Sequence, residues 1–103
     1  SFENCCLPSA VYVLTNQRLS YSEALELLVP RNSVVDPDPN RIYLITRTPP
    51  SDKYRGHAGV LWRGQEIWAQ RKTKAGDFFW GLEDASKWSD LQDKGWVIEL
   101  WEW

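Results

Sequence analysis

The sequence predicts an α+β domain with N-terminal helices packed on a small antiparallel β-sheet. Three observations lead there. Apolar residues at helical spacing open the chain, alternating apolar runs dominate from residue 42 on, and Arg63-Gly64 breaks two of those runs as a hairpin turn would. Helices leading and strands following is the order of an α+β fold, whereas a βαβ fold interleaves them.

The elements follow in order. Pro8 suits the first turn of a helix, where its missing N–H costs nothing, and Ala10, Val11, Val13 and Leu14 continue a mostly buried helix over residues 7–15. Thr15-Asn16-Gln17 ends it. Ser20 or Ser22 caps a second helix, and Ser20 has Glu23 at capping-box spacing. Ala24, Leu25, Leu27 and Leu28 form its apolar stripe and Pro30 closes it.

Asp36-Pro37-Asp38-Pro39-Asn40 is a turn-rich connection. Residues 42–47 then read as a strand buried on both faces, and 48–52 as a polar loop. Residues 57–62 and 65–71 form the hairpin. A two-residue loop sets Trp62 opposite Gln65, Leu61 opposite Glu66, Gly59 opposite Trp68 and His57 opposite Gln70. Gly59 leaves room for Trp68, and His57, Gly59 and Leu61 share a face with Glu66, Trp68 and Gln70. Residues 76–81 read as a Phe/Trp-rich turn, 83–93 as a short polar helix and 96–101 as the last strand.

A chain of 103 residues forms a single domain, spanning 1–103. It opens only a few residues before its densest motif, which reads as a fragment of a larger protein. Apolar residues make up 43% and charged residues 25%, so one modest core is affordable. Seven Trp, four Tyr and three Phe point to a rigid aromatic core. The net charge of -2, without a sizeable basic block, argues against a large nucleic-acid footprint but leaves RNA cleavage open. No apolar run is long enough to span a membrane. The two cysteines are neighbours, which gives neither a disulfide framework nor metal-ligand spacing, and no cofactor motif is present.

The chemistry lies in Asn4-Cys5-Cys6-Leu7-Pro8-Ser9-Ala10 and Gly56-His57-Ala58-Gly59. A cysteine at a helix N-terminus gains from the helix dipole, and backbone N–H groups stand ready for an oxyanion. His57, the one histidine of the chain, can take the thiol proton, and a third group fixes its tautomer. Cys6 is then the nucleophile, His57 the base, and the side-chain carbonyl of Gln70 the orienting acceptor.

Over residues 4–72 these spacings resemble the papain-like cysteine peptidase superfamily. Cys6-Leu7-Pro8-Ser9-Ala10 matches the Cys-x-Pro-x-Ala pattern that opens the first helix of bacteriocin-processing transporter peptidases. Residues 22–28 resemble their second helix, and His57 opens a hairpin as theirs does. Asn4-Cys5-Cys6 and Gly56-His57 are similar to the papain-fold domains of bacterial polymorphic toxins. The resemblance implies a papain-like fold and a cysteine hydrolase or transferase acting on a protein or peptide substrate. It also implies a toxin or effector setting: secretion or delivery into a target cell's cytoplasm, reduced thiols, and a cognate immunity protein.

The chain departs from the pattern at the third member, usually Asp or Asn, where Gln70 stands; Asp77 and Asp84 are the alternatives. Asn4 is the candidate side-chain donor to the oxyanion. Cys5 is the rival nucleophile, but Pro8 and Ala10 stand at the expected offsets only from Cys6. Two other function classes fit the residues. One is a Trp-rich binding or immunity-type module. The other is a His57-dependent RNase toxin assisted by nearby Arg and Lys, which would tolerate loss of both cysteines.

Overall fold

Among the described residues, three helices and a six-stranded antiparallel sheet make up the fold. The computed structural model describes residues 6–52, 56–71 and 78–103, with only the backbone for 69–71 and 78–80. Helix α1 spans Cys6–Thr15 and α2 spans Tyr21–Leu28. The strands are β1 (Ser33–Val34), β2 (Tyr43–Thr48), β3 (His57–Trp62), β4 (Gln65–Arg71), β5 (Phe78–Asp84) and β6 (Val97–Trp101). A 3-10 turn at Ala85–Lys87 runs into α3, Trp88–Asp93.

Local chemistry sets the helix ends. At the end of α1, the Thr15 hydroxyl donates to the Val11 carbonyl at 2.8 Å. Asn16 then turns left-handed at φ 59°, a conformation that asparagine tolerates better than most residues. The capping box of α2 is formed: the Glu23 N–H donates to the Ser20 hydroxyl, and the Ser20 N–H donates to the Glu23 carboxylate. These bonds hold the Glu23 carboxyl below its ordinary value.

The sheet order is β1-β6-β2-β3-β4-β5. Strands β2 to β5 are a meander of sequence neighbours, and β6 returns to pair with both β2 and β1. Arg63 at φ 51° and Gly64 at φ 77° make the β3–β4 turn, both left-handed as a type I′ turn requires. Next to the turn its ladder has the expected pairs, Trp62 opposite Gln65, Leu61 opposite Glu66 and Val60 opposite Ile67, but it does not continue to the expected Gly59–Trp68 and His57–Gln70 pairs.

Each face of the sheet has its own core. On one, Leu44, Ala58 and Val60 meet Leu7, Ala10 and Val11 of α1 and Ala24 and Leu28 of α2. On the other, Tyr43, Ile45 and Leu100 pack with Val34, Leu61, Trp88 and Ile98. Strand β2 is therefore buried on both faces over Tyr43–Ile45, as its apolar start predicts.

The sequence reading is corrected at two places. Phe78–Asp84 is a strand paired along β4, not a turn followed by a helix. Aromatic and glycine content suggested a turn there, but Gly81 sits inside the ladder opposite Trp68. The following helix therefore begins only after Asp84, whose carboxylate caps it by accepting from the Ser86 N–H at 2.9 Å. Ser33–Val34 also adds a short edge strand, held by β6 rather than by its own pattern.

Candidate active site

Cys6 is the first residue of α1 and His57 the first of β3. Both border one cavity of about 470 Å³. Leu7 of α1 and Tyr21, Leu25 and Leu28 of α2 form its apolar wall, and residues 46–48 and 56–58 form the opposite side. The placement follows from the fold. Ala10 and Val11 seat α1 on β3, with Ala58 and Val60 beneath them, so the start of α1 and the start of β3 meet at one end of the sheet. Cys6 is half-buried and carries a thiol.

Alternation along β3 turns Ala58 and Val60 to α1 and gives His57 to the other sheet face. There it pairs with Arg47 of β2. Its Nε2 lies 4.0 Å from Oε1 of Glu66, and its ring meets Trp68 edge-on, with centroids 5.6 Å apart and planes at 85°. Burial and the Arg47 guanidinium push the His57 imidazolium down to about pKa 4, so the ring is neutral at pH 7.

Glu66 is fully buried, at 0% exposure, and pairs with Arg47 in a two-pronged contact. Arg47 Nε donates to Glu66 Oε1 at 3.1 Å and Nη2 donates to Oε2. The same Nη2 donates to Oε2 of Glu83 on β5 at 3.0 Å. Arg47, His57, Glu66 and Glu83 thus form one charged cluster across β2, β3, β4 and β5. Sequence reading placed Glu66 beside His57 but gave it no role, and it did not single out Arg47. The signal was an acidic residue on the inward face of the hairpin, with an arginine inside a strand read as doubly buried.

Most of the other expected site residues lie outside the described ones. Gln70 lies on β4 opposite Phe79, and its side chain is outside the described residues. Asn4, Cys5 and Asp77 also lie outside them. Asp84 pairs with Gln65 beside the hairpin turn, at the other end of the sheet from His57, and is engaged in its cap. Of the two hairpin tryptophans, Trp68 borders His57, while Trp62 is exposed with Arg63 stacked 4.7 Å above its ring.

Among the described residues no group of three or more His, Cys, Asp or Glu could hold a metal ion. No helix among them is long and apolar enough to cross a membrane. No protein-family model, curated protein or solved structure matches this chain.

Proposed function

We propose that this chain is a cysteine hydrolase or acyl transferase of papain-like type, with Cys6 as nucleophile and His57 as base. The observation that supports the reading is that Cys6 at the start of α1 and His57 at the start of β3 both border one cavity. The His57 ring itself lies on the sheet face away from α1, beside Glu66 and Trp68, and has to swing into the cavity to meet the thiol. With His57 neutral near pH 7, the imidazole is in the form that can accept a proton from the thiol.

In this mechanism the Cys6 sulfur bonds to an amide carbonyl carbon as His57 takes the thiol proton. Backbone N–H groups of the first turn of α1 hold the oxyanion. The C–N bond breaks, and the leaving amine takes the proton from His57. Water, activated by the imidazole, then cleaves the thioester in a hydrolase, and an amine does so in a transferase. A protein or peptide substrate, an effector or toxin setting in a larger secreted protein and a cognate immunity partner complete the proposal.

The test is labelling by a thiol-reactive probe near neutral pH. Rapid labelling of Cys6 that slows after His57→Ala supports the reading. Equal labelling in both proteins sinks it. Toxicity or amide cleavage should vanish in Cys6→Ala and survive in Cys5→Ala.

A second reading has its own observation in support. His57 shares the sheet face turned away from α1 with Arg47 and Glu66, an imidazole, a cation and a carboxylate of the kinds that RNA cleavage uses. This His57-dependent RNase would keep its activity in Cys6→Ala, and fragmentation of cellular RNA by that variant would select it.

A further inference from the structure

We propose that Glu66 is the positioning residue of His57, its carboxylate locked by Arg47 and holding the imidazole proton on Nε2 so that Nδ1 is the basic atom. For what Nδ1 then does, the inference rests on the cysteine chemistry proposed above.

Glu66 is the one charged side chain among the buried described residues. Burying an ion pair gives little net stability, because desolvation offsets most of the attraction, and an apolar pair of similar volume does as well or better. The Arg47–Glu66 pair therefore calls for another role. Its neighbour supplies one: His57 Nε2 lies 4.0 Å from Glu66 Oε1, and a closure of about 1 Å makes that contact a hydrogen bond. Of the two tautomers, only the one protonated on Nε2 can donate to a carboxylate, which has no proton to give.

The frame around this contact is stiff. Arg47 grips both Glu66 oxygens and is itself held by Glu83 from β5. Trp68 closes on the His57 ring edge-on and opposes its rotation. The charged or titratable groups around the His57 ring among the described residues are thus Arg47 from β2, Glu66 from β4 and, through Arg47, Glu83 from β5. Cys6 of α1 borders the same cavity but on the other face of the sheet. Every member of the frame stands on a strand, which holds geometry more tightly than a loop. Glu66 sits on the return strand of the hairpin that His57 opens, four residues before Gln70.

The test is the long-range proton–nitrogen spectrum of the full chain labelled with nitrogen-15. His57 is the single histidine, so its two ring nitrogens are read without assignment ambiguity. The wild-type protein at pH 7 should show Nε2 protonated and Nδ1 bare. A dominant Nδ1–H form overturns the proposal before any variant is made. The double variant Arg47→Met/Glu66→Leu removes both charges at similar volume and should give a mixture of tautomers. Glu66→Gln, whose carbonyl can still accept, should restore most of the Nε2–H form. A folded double variant with the wild-type tautomer overturns the proposal, as does a Gln70→Leu variant that shifts the tautomer as strongly.

Cys6 labelling separates this inference from the one beneath it. If Glu66 positions the base, labelling in the double variant falls about tenfold, the cost of roughly 1.4 kcal/mol of lost positioning, and its pH profile shifts. A tautomer change without any change in labelling leaves Glu66 as the positioning residue and removes the cysteine reading. Labelling that depends on His57 but not on Glu66, with the tautomer unchanged, does the reverse.

Discussion

The indole N–H of Trp101 donates to the Thr46 hydroxyl at 2.7 Å, tying β6 to β2 at the centre of the sheet. Leu44 pairs with Trp101 in the ladder, so this bond runs diagonally along the strands and fixes the ring over the helix-facing core. Replacing Thr46 by Val keeps the shape and orphans the indole N–H. The expected loss is about 1–2 kcal/mol, read as a lower midpoint in urea at unchanged slope.

Gly59 is enclosed by its partner strand. A methyl group placed there would lie 2.7 Å from the Ile67 carbonyl oxygen and 3.3 Å from the Trp68 Cβ. Backbone cannot yield as a side-chain tip does, so Gly59→Ala should destabilise the fold by about 1–3 kcal/mol. Because Trp68 moves with the strand, its contact with the His57 ring should loosen too. Thermal unfolding checks the first expectation, and the proton shifts of the His57 ring, which lies edge-on to Trp68, check the second.

Acid should weaken the fold through His57. Its ordinary value is 6.5 and its folded value about 4, so the unfolded chain binds the extra proton between those limits. Its contribution is complete above pH 6.5 and is lost as pH falls towards 4. The loss amounts to about 3 kcal/mol at most. Chemical denaturation at pH 7 and pH 4 should show this gap in the wild type and a smaller one in His57→Gln. An equal gap in both proteins would assign the acid sensitivity to other groups.

The Arg47–Glu66 pair should behave asymmetrically. Glu66→Ala leaves the half-buried Arg47 guanidinium with Glu83 alone and should cost up to about 3 kcal/mol, whereas Arg47→Met/Glu66→Leu should be close to neutral. A double variant as unstable as the single one would mean that Glu83 and His57 also depend on the pair for their packing.

The hairpin turn leaves room for improvement. Arg63 adopts φ 51°, a left-handed conformation in which Asn is more at ease. Arg63→Asn should gain about 0.5 kcal/mol after the loss of its stacking on Trp62. A rise of a few degrees in unfolding temperature would bear this out.

Much of this architecture can be read from local patterns. The Ser20–Glu23 box, the Arg63-Gly64 turn and the three strand pairs next to it each depend on a few adjacent residues, and each is as expected. Strand β5 was missed because its identity depends on β4. Phe78–Asp84 has glycine and charge inside it, and only the ladder to β4 makes it a strand. The site divides in the same way. Cys6 and His57 stand out because each opens an element, while Arg47 and Glu66 acquire meaning only when β2 and β4 flank β3 and bring opposite charges together.

The position of β6 has a consequence for how the chain assembles. The run from β2 to β5 can zip up from neighbouring segments, but β2 then waits with its outer rim bare until Val97–Trp101 emerges from the synthesising machinery and slots in between β2 and β1. During that interval a second nascent copy offers the same five residues. Crowded expression should therefore yield exchanged dimers, each lending its last strand to the other, and dilution before folding should suppress them.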